Sequence, residues 1–217
     1  MMECIFQNHR QYIGTFFDDI LVFSKNQEEH RQHLEIILQL LQQHQFLVNG
    51  KKSEFFMHEI NYLGHVISSK GIQMDFEKIK VIQEWHDLHD VHDVRSFLGL
   101  CSYYRRFIKH FAHIASPLHD LTKKKSSFQW KEKEKAAFIK LKMALTFGPV
   151  LIIPDLAKPF VVEADTCGDC IGAVLNQEGH AVAFESRRLN DVEKRYKIYE
   201  KELLAVVHAL KYGSIIS

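Results

Sequence analysis

Phe16-Phe17-Asp18-Asp19-Ile20-Leu21-Val22-Phe23 sets two adjacent carboxylates inside an otherwise apolar run. Burying an unpaired charge costs several kcal/mol, so two acids in such a run need a reason. The flanks, Tyr12 to Phe17 and Ile20 to Phe23, have the aromatic and β-branched content of strands. That predicts a hairpin with Asp18 and Asp19 at its tip, where both could reach a metal ion. A solvated acidic turn is the other reading, since Asp is a favoured turn residue.

Outward from this hairpin the pattern alternates between helix and strand. Met2 to Gln11 reads as a helix. From Glu28 to Gln45, Leu34, Ile37, Leu38 and Leu41 recur at helical spacing. Leu47-Val48 and Ile60 to Ile67 are short strand candidates interrupted by Gly50 and Gly64. Asp75 to Trp85 begins a helical region with Phe76, Ile79 and Ile82 on one face. Asp93 to Phe111 is the clearest helix, with Val94, Phe97, Leu98, Cys101, Ile108 and Phe111 on one stripe and Arg95, Ser102, Arg106 and Lys109 on another. Pro117 is expected to close this unit, and Lys131 to Thr146 to form a further helix with Phe138, Leu141 and Leu145 inward. Gly148-Pro149 and Pro154 mark a boundary. Beyond it Phe160 to Asp165, Gly172 to Asn176 and Ala181 to Phe184 read as strands, with a turn at Gln177 to His180. Ile198 to Leu210 reads as a helix packing Leu203, Val206, Val207 and Leu210 inward.

Composition excludes some classes of protein. The apolar fraction is 46%, and 28 basic against 27 acidic residues leave a net charge of +1. Any nucleic-acid contact must therefore come from local basic patches rather than a global field. There is no apolar run long enough to span a membrane and no signal-peptide pattern, which predicts an intracellular, cytoplasmic or nuclear protein. Four cysteines do not make a disulfide scaffold at this length. Cys167 and Cys170 form one Cys-x-x-Cys without a second pair, short of a four-ligand zinc site. His86, His89 and His92 alternate with Asp87, Asp90 and Asp93. On a helix that spacing drifts about 60° per step, so a polar linker or helix cap is expected rather than a metal site.

The run Phe16 to Lys25 resembles the aromatic-x-Asp-Asp motif of reverse transcriptases, in the form found in gypsy-class LTR retrotransposon Pol polyproteins. The resemblance continues in order. His30 to Leu41 is similar to the helix after that hairpin, and Tyr62-Leu63-Gly64-His65-Val66-Ile67-Ser68 to the primer-grip hairpin. Trp85, Arg95 to Leu100 and Tyr103 to Ile108 resemble the thumb and connecting region. Pro149 to Leu151, Glu163 to Asp165 and Ile171 to Leu175 lead to Glu200 to Val207, which is similar to a ribonuclease H helix.

The fold class implied is α+β: a partial palm of strand hairpins with a helix (1–72), a helical thumb and connection (73–148), and the first half of a ribonuclease H-like α/β domain (149–217). The implied function is RNA-directed DNA synthesis with degradation of the RNA strand, by phosphoryl transfer on two Mg²⁺ ions. Asp18 and Asp19 match the polymerase hairpin carboxylates. Asp165 and Glu202 match the first two ribonuclease H carboxylates. Phe16 stands where the family more often has Tyr. An upstream palm Asp, the fingers and the later ribonuclease H carboxylates have no counterpart. The expectation is therefore a fragment truncated at both ends, with both sites halved and little or no activity alone. Expected partners are an RNA/DNA template-primer or RNA–DNA hybrid, together with other Pol segments in trans. The contacts would run through Gly64, His65, Arg95, Arg106, Lys109, Lys123, Lys124 and Lys125, against the alternative of a solvated basic face. A non-catalytic nucleic-acid-binding module and an inert relic are the competing readings.

Overall fold

The structure is a computed structural model that describes residues 2–123 and 128–216. By contact density the chain divides into two compact units, residues 1–62 and 63–217.

The first unit opens with a short helix α1 (Met2–Ile5) and a 3-10 turn (Gln7–His9), where one longer helix was expected. Strands β1 (Ile13–Phe16) and β2 (Asp19–Val22) form the anticipated antiparallel hairpin, with Phe16 opposite Asp19. Helix α2 (Gln27–Gln43) follows, and the Asn26 side chain caps it by accepting the Glu29 N–H at 2.9 Å. Ile37 and Leu41 pack with Phe6, Tyr12 and Ile13, whereas Leu38 stays exposed. Leu47-Val48 is not a strand; Leu47 is 99% exposed, with no opposite strand to cover it. Strand β3 (Glu59–Tyr62) ends the unit.

The second unit begins with the hairpin of β4 (His65–Ser68) and β5 (Gly71–Met74), which groups with the helical region. Ile72 also pairs with Leu151: the Ile72 N–H donates to the Leu151 carbonyl at 2.7 Å and the Leu151 N–H returns a bond at 3.0 Å. Helix α3 (Phe76–Gln83) starts at an Asp75 cap. Ile82 faces the core as expected, but Phe76, in the first turn, is exposed.

The long helix expected over 93–111 is broken. Helix α4 (Val91–Tyr103) is followed by a 3-10 turn (Arg105–Phe107) and α5 (Phe111–Leu121). His110 takes a left-handed backbone (φ 58°) between them, so the two helices can fold onto one core. The expected stripe survives the break, because Val94, Phe97, Leu98, Cys101, Ile108 and Phe111 are all buried. Pro117 lies inside α5 rather than ending the unit. Helix α6 (Glu132–Thr146) adds Phe138, Leu141 and Leu145 to the same core.

Strands β6 (Val161–Cys167), β7 (Cys170–Gln177) and β8 (His180–Arg188) form an antiparallel sheet in that order. Opposed residues share a face. Val174 and Phe184 belong to the helical core, and the Ser186 hydroxyl accepts the Ala112 N–H at 2.9 Å, so α5 covers one face. Helix α7 (Ile198–Ile216) covers the other, with Ala205 against Ala164 and Ile171. This corrects the expected orientation of α7: Leu203, Val206, Val207 and Leu210 are exposed, while Ala205 and Ala209 are buried. The helix is apolar on most sides, and its small alanine face allows the closest approach to the sheet.

Among the described residues, two arginine–carboxylate ties join the sheet to the segments around α5. Arg105 donates to Glu185 at 2.7 Å, and Arg188 donates to Asp120 at 2.8 Å. A third is local: Arg187 grips Glu193 through both carboxylate oxygens at 2.7 and 2.9 Å. That bidentate contact, with the Asn190 N–H, pulls the Glu193 carboxyl from an ordinary 4.5 down to about 2. A depressed folded-state pKa contributes stability that is complete above the unfolded value and is lost as pH falls through the folded one. Urea midpoints should therefore show wild type losing more stability than Glu193→Gln between pH 4.5 and about 2. Equal losses would mean the pair contributes nothing.

Candidate functional site

In the first unit, the β1–β2 connection is a two-residue turn at Phe17-Asp18. Asp18 occupies the turn, and Asp19 opens β2 opposite Phe16. Phe17 has a left-handed backbone (φ 51°), which a bulky residue adopts only at some cost. Its ring is 82% exposed and meets Phe16 edge-on, with centroids 4.8 Å apart. Both carboxylates are exposed, and neither has a hydrogen bond or ion pair among the described residues. Burial raises the Tyr62 phenol above its usual range, and the Asp19 charge nearby adds to the shift.

The residues expected at a nucleic-acid interface separate into three places in the second unit. Gly64 and His65 lie on the turn into β4, where Leu63 and Gly64 both take positive φ. Tyr103 donates its hydroxyl to the Leu63 carbonyl and Tyr104 to that of Gly64, at 2.5 and 2.9 Å. A Cβ at position 64 would stand 2.9 Å from the Tyr104 oxygen, so glycine is required both by φ and by this clamp. His65 stacks on Tyr103 and Phe107, with Tyr104 edge-on. Burial, and then the Arg106 charge, push its pKa below the usual imidazole value. Desolvation drives the Tyr104 phenol up to about 12. The tyrosine clamp was not legible from spacing, because its members lie forty positions from the turn they hold.

Arg95 and Lys123 form the second place. Arg95 is exposed and reaches the Thr122 carbonyl at 3.4 Å. Lys123 pairs with Asp120 at 2.8 Å, the carboxylate that also takes Arg188. Burial opposes ionisation of Asp120, but the bonds from Arg188 and Lys123 outweigh it and lower its pKa. Lys124 and Lys125 lie outside the described residues.

Lys109 belongs to the third place, a cavity of about 220 Å³ lined by Lys109, His110, Glu163, Asp165 and Gly172. Asp165 is opposite Gly172 on the sheet face toward α5, and its carboxylate accepts the Thr166 N–H at 2.6 Å. Glu202 is an exposed residue of α7, the helix on the other face. Among the described residues no hydrogen bond or ion pair joins Asp165 to Glu202. The structure thus brings Asp165 together with Lys109 and His110, the latter a residue that sequence reasoning did not single out.

Among the described residues, one group of three possible metal-ligand side chains has its ligand atoms within 4.8 Å of one another: Asp90, His92 and Asp93. Two of these act as helix caps, Asp90 accepting the Asp93 N–H and Asp93 that of His89. His86 and His89 lie outside the helix that carries His92, in keeping with a linker and cap. Among the described residues no helix is long and apolar enough to cross a membrane.

The family model described as reverse transcriptase (RNA-dependent DNA polymerase) matches residues 1–67, and that described as an RNase H-like domain found in reverse transcriptase matches 130–215. The chain is 39% identical to a retrovirus-related Pol polyprotein from transposon gypsy of Drosophila melanogaster, over 93% of this chain and 21% of that protein. It is 38% identical to the Pol polyprotein from transposon 297 of the same organism, over 91% and 19%. It therefore spans about a fifth of the length of these curated relatives. In fold it matches a foamy viral protease-reverse transcriptase solved with double-stranded DNA (TM-score 0.87, 23% identity, 99% of this chain and 38% of that one). It also matches the foamy viral enzyme solved with an RNA/DNA hybrid (TM-score 0.86, 23% identity, 99% and 30%). The α+β architecture is that of a reverse-transcriptase palm with an RNase H-like region, and the chain belongs to the reverse transcriptase/ribonuclease H region of gypsy-class retrotransposon Pol polyproteins.

Proposed function

We propose that this chain is a nucleic-acid-engaging part of an RNA-directed DNA polymerase with associated ribonuclease H, binding a template-primer or RNA–DNA hybrid and turning over little by itself. The observation that carries this reading is the hairpin tip, where Asp18 and Asp19 are adjacent, exposed and unpaired. Mg²⁺ binds through one or two carboxylates and keeps several waters, so the donor set of this hairpin suits a hydrated ion. In the same reading Asp165 and Glu202 are metal ligands of the ribonuclease H part. Bound Mg²⁺ would neutralise charge on the transferring phosphoryl group.

The residues of the chain have distinct roles in this scheme. Asp18 and Asp19 present four carboxylate oxygens at the tip. The tyrosine clamp fixes the Leu63-Gly64 turn that would approach the nucleic-acid backbone. Arg106 and Lys109 offer charge to phosphates, while Arg105 is committed to Glu185. Among the described residues neither the Asp18–Asp19 hairpin nor Asp165 gathers a set of three ligands, and Glu202 lies on the helix across the sheet from Asp165, which favours binding over turnover unless other Pol segments supply the remainder.

The test is affinity for an RNA–DNA hybrid as a function of salt. Log affinity should fall linearly with log salt, and Arg106→Ala or Lys109→Ala should each reduce that slope by about one. Absence of binding at low salt, or slopes unchanged by both substitutions, would refute the proposal.

A further inference from the structure

Cys167 and Cys170 have no part in the scheme above. They are direct register partners across the β6–β7 hairpin and enclose the two-residue turn Gly168-Asp169, with Gly168 at φ 59°. Opposed residues project to one face of the sheet, the face that also carries Asp165. Both cysteines are free. Cα atoms of directly opposed antiparallel residues stand about 4.5–5.5 Å apart, within the roughly 4.4–6.8 Å that a disulfide spans. The sites differ in access, Cys167 being half-buried and Cys170 buried.

We propose that Cys167 and Cys170 form a reversible disulfide by exchange with a small-molecule disulfide such as oxidised glutathione. The more accessible Cys167 thiolate attacks one sulfur of the reagent and releases the other half as thiolate. The Cys170 thiolate then attacks the Cys167 sulfur of the mixed disulfide and displaces the second half. Each cysteine gives its proton to solvent. Two protein thiols are oxidised to one disulfide, and one small-molecule disulfide is reduced to two thiols. The product staples the end of the hairpin whose first strand holds Asp165.

The experiment uses the full chain with Cys4→Ser, which removes the exposed cysteine of the first unit; Cys101 is buried. After incubation with oxidised glutathione, the intact mass should fall by two hydrogens and return on reduction with dithiothreitol. Fragmentation should place the link between Cys167 and Cys170. With Cys170→Ser, a glutathione adduct should accumulate on Cys167, whereas Cys167→Ser should take up glutathione much more slowly. A stable adduct on Cys167 with both cysteines present would overturn the proposal. So would equal uptake by the two variants. The first readout needs no substitution at either position, so it stands even if a variant folds poorly.

Discussion

Gly71→Ala should destabilise the second unit by roughly 2–4 kcal/mol, a large fraction of the 5–15 kcal/mol typical of a domain. A Cβ at this position would sit 2.2 Å from the Leu151 carbonyl oxygen, and the backbone is at φ 128°, which L residues rarely adopt. The obstructing atom is backbone, so relief requires the two hydrogen bonds between Ile72 and Leu151 to break. Those bonds fasten the β4–β5 hairpin to the buried Leu151 segment, which in turn donates from Ile152 to the Ala181 carbonyl of β8. Urea unfolding of Gly71→Ala beside Gly99→Ala makes the comparison. Position 99 lies within α4 with nothing within 4 Å of a Cβ, so alanine there should be neutral or stabilising by up to about 1 kcal/mol. A Gly71→Ala chain as stable as wild type would show that the Ile72–Leu151 joint does not hold the hairpin.

Phe97→Ala should cost about 3–5 kcal/mol through lost burial and the cavity left behind. Phe97 is fully buried in α4, with its ring 5.6 Å from Trp85 and 4.7 Å from Phe138 of α6. Three segments therefore lose contact at once, and collapse from one side cannot refill the space. Phe97→Leu keeps most of the volume and should lose about 1–2 kcal/mol. Urea midpoints for the two variants check the order. Equal and small losses would mean the helical core tolerates a void at its centre.

What could be read from the sequence was local. The Phe16 to Phe23 run announces its hairpin because strand residues flank two turn-favouring acids. The α4 stripe announces its buried face even though the helix ends earlier than its periodicity suggests. Alpha-helix α7 shows where such reading fails. Its leucines and valines outweigh its alanines in any hydrophobicity count, yet Ala205 and Ala209 meet the sheet because close approach needs small side chains. Strand β5 contains Gln73 and begins at Gly71, so it carries little strand signal; its pairing with β4 and Leu151 makes it a strand. For the candidate sites, the identities of Asp18, Asp19, Asp165 and Glu202 were visible as motif positions. Their surroundings were not. Lys109 and His110 meet Asp165 only because α5 packs across the sheet, a juxtaposition of residues more than fifty positions apart.

The most direct test of the central claim is primer extension and RNA–DNA hybrid cleavage in Mg²⁺, with the chain alone and with the neighbouring Pol segments supplied in trans. Wild type and an Asp18→Asn, Glu202→Gln double variant are run side by side. The account predicts that both are silent alone, and that added segments restore activity to wild type but not to the double variant. Activity of the isolated chain that the double variant loses would contradict it, as would equal restoration of both.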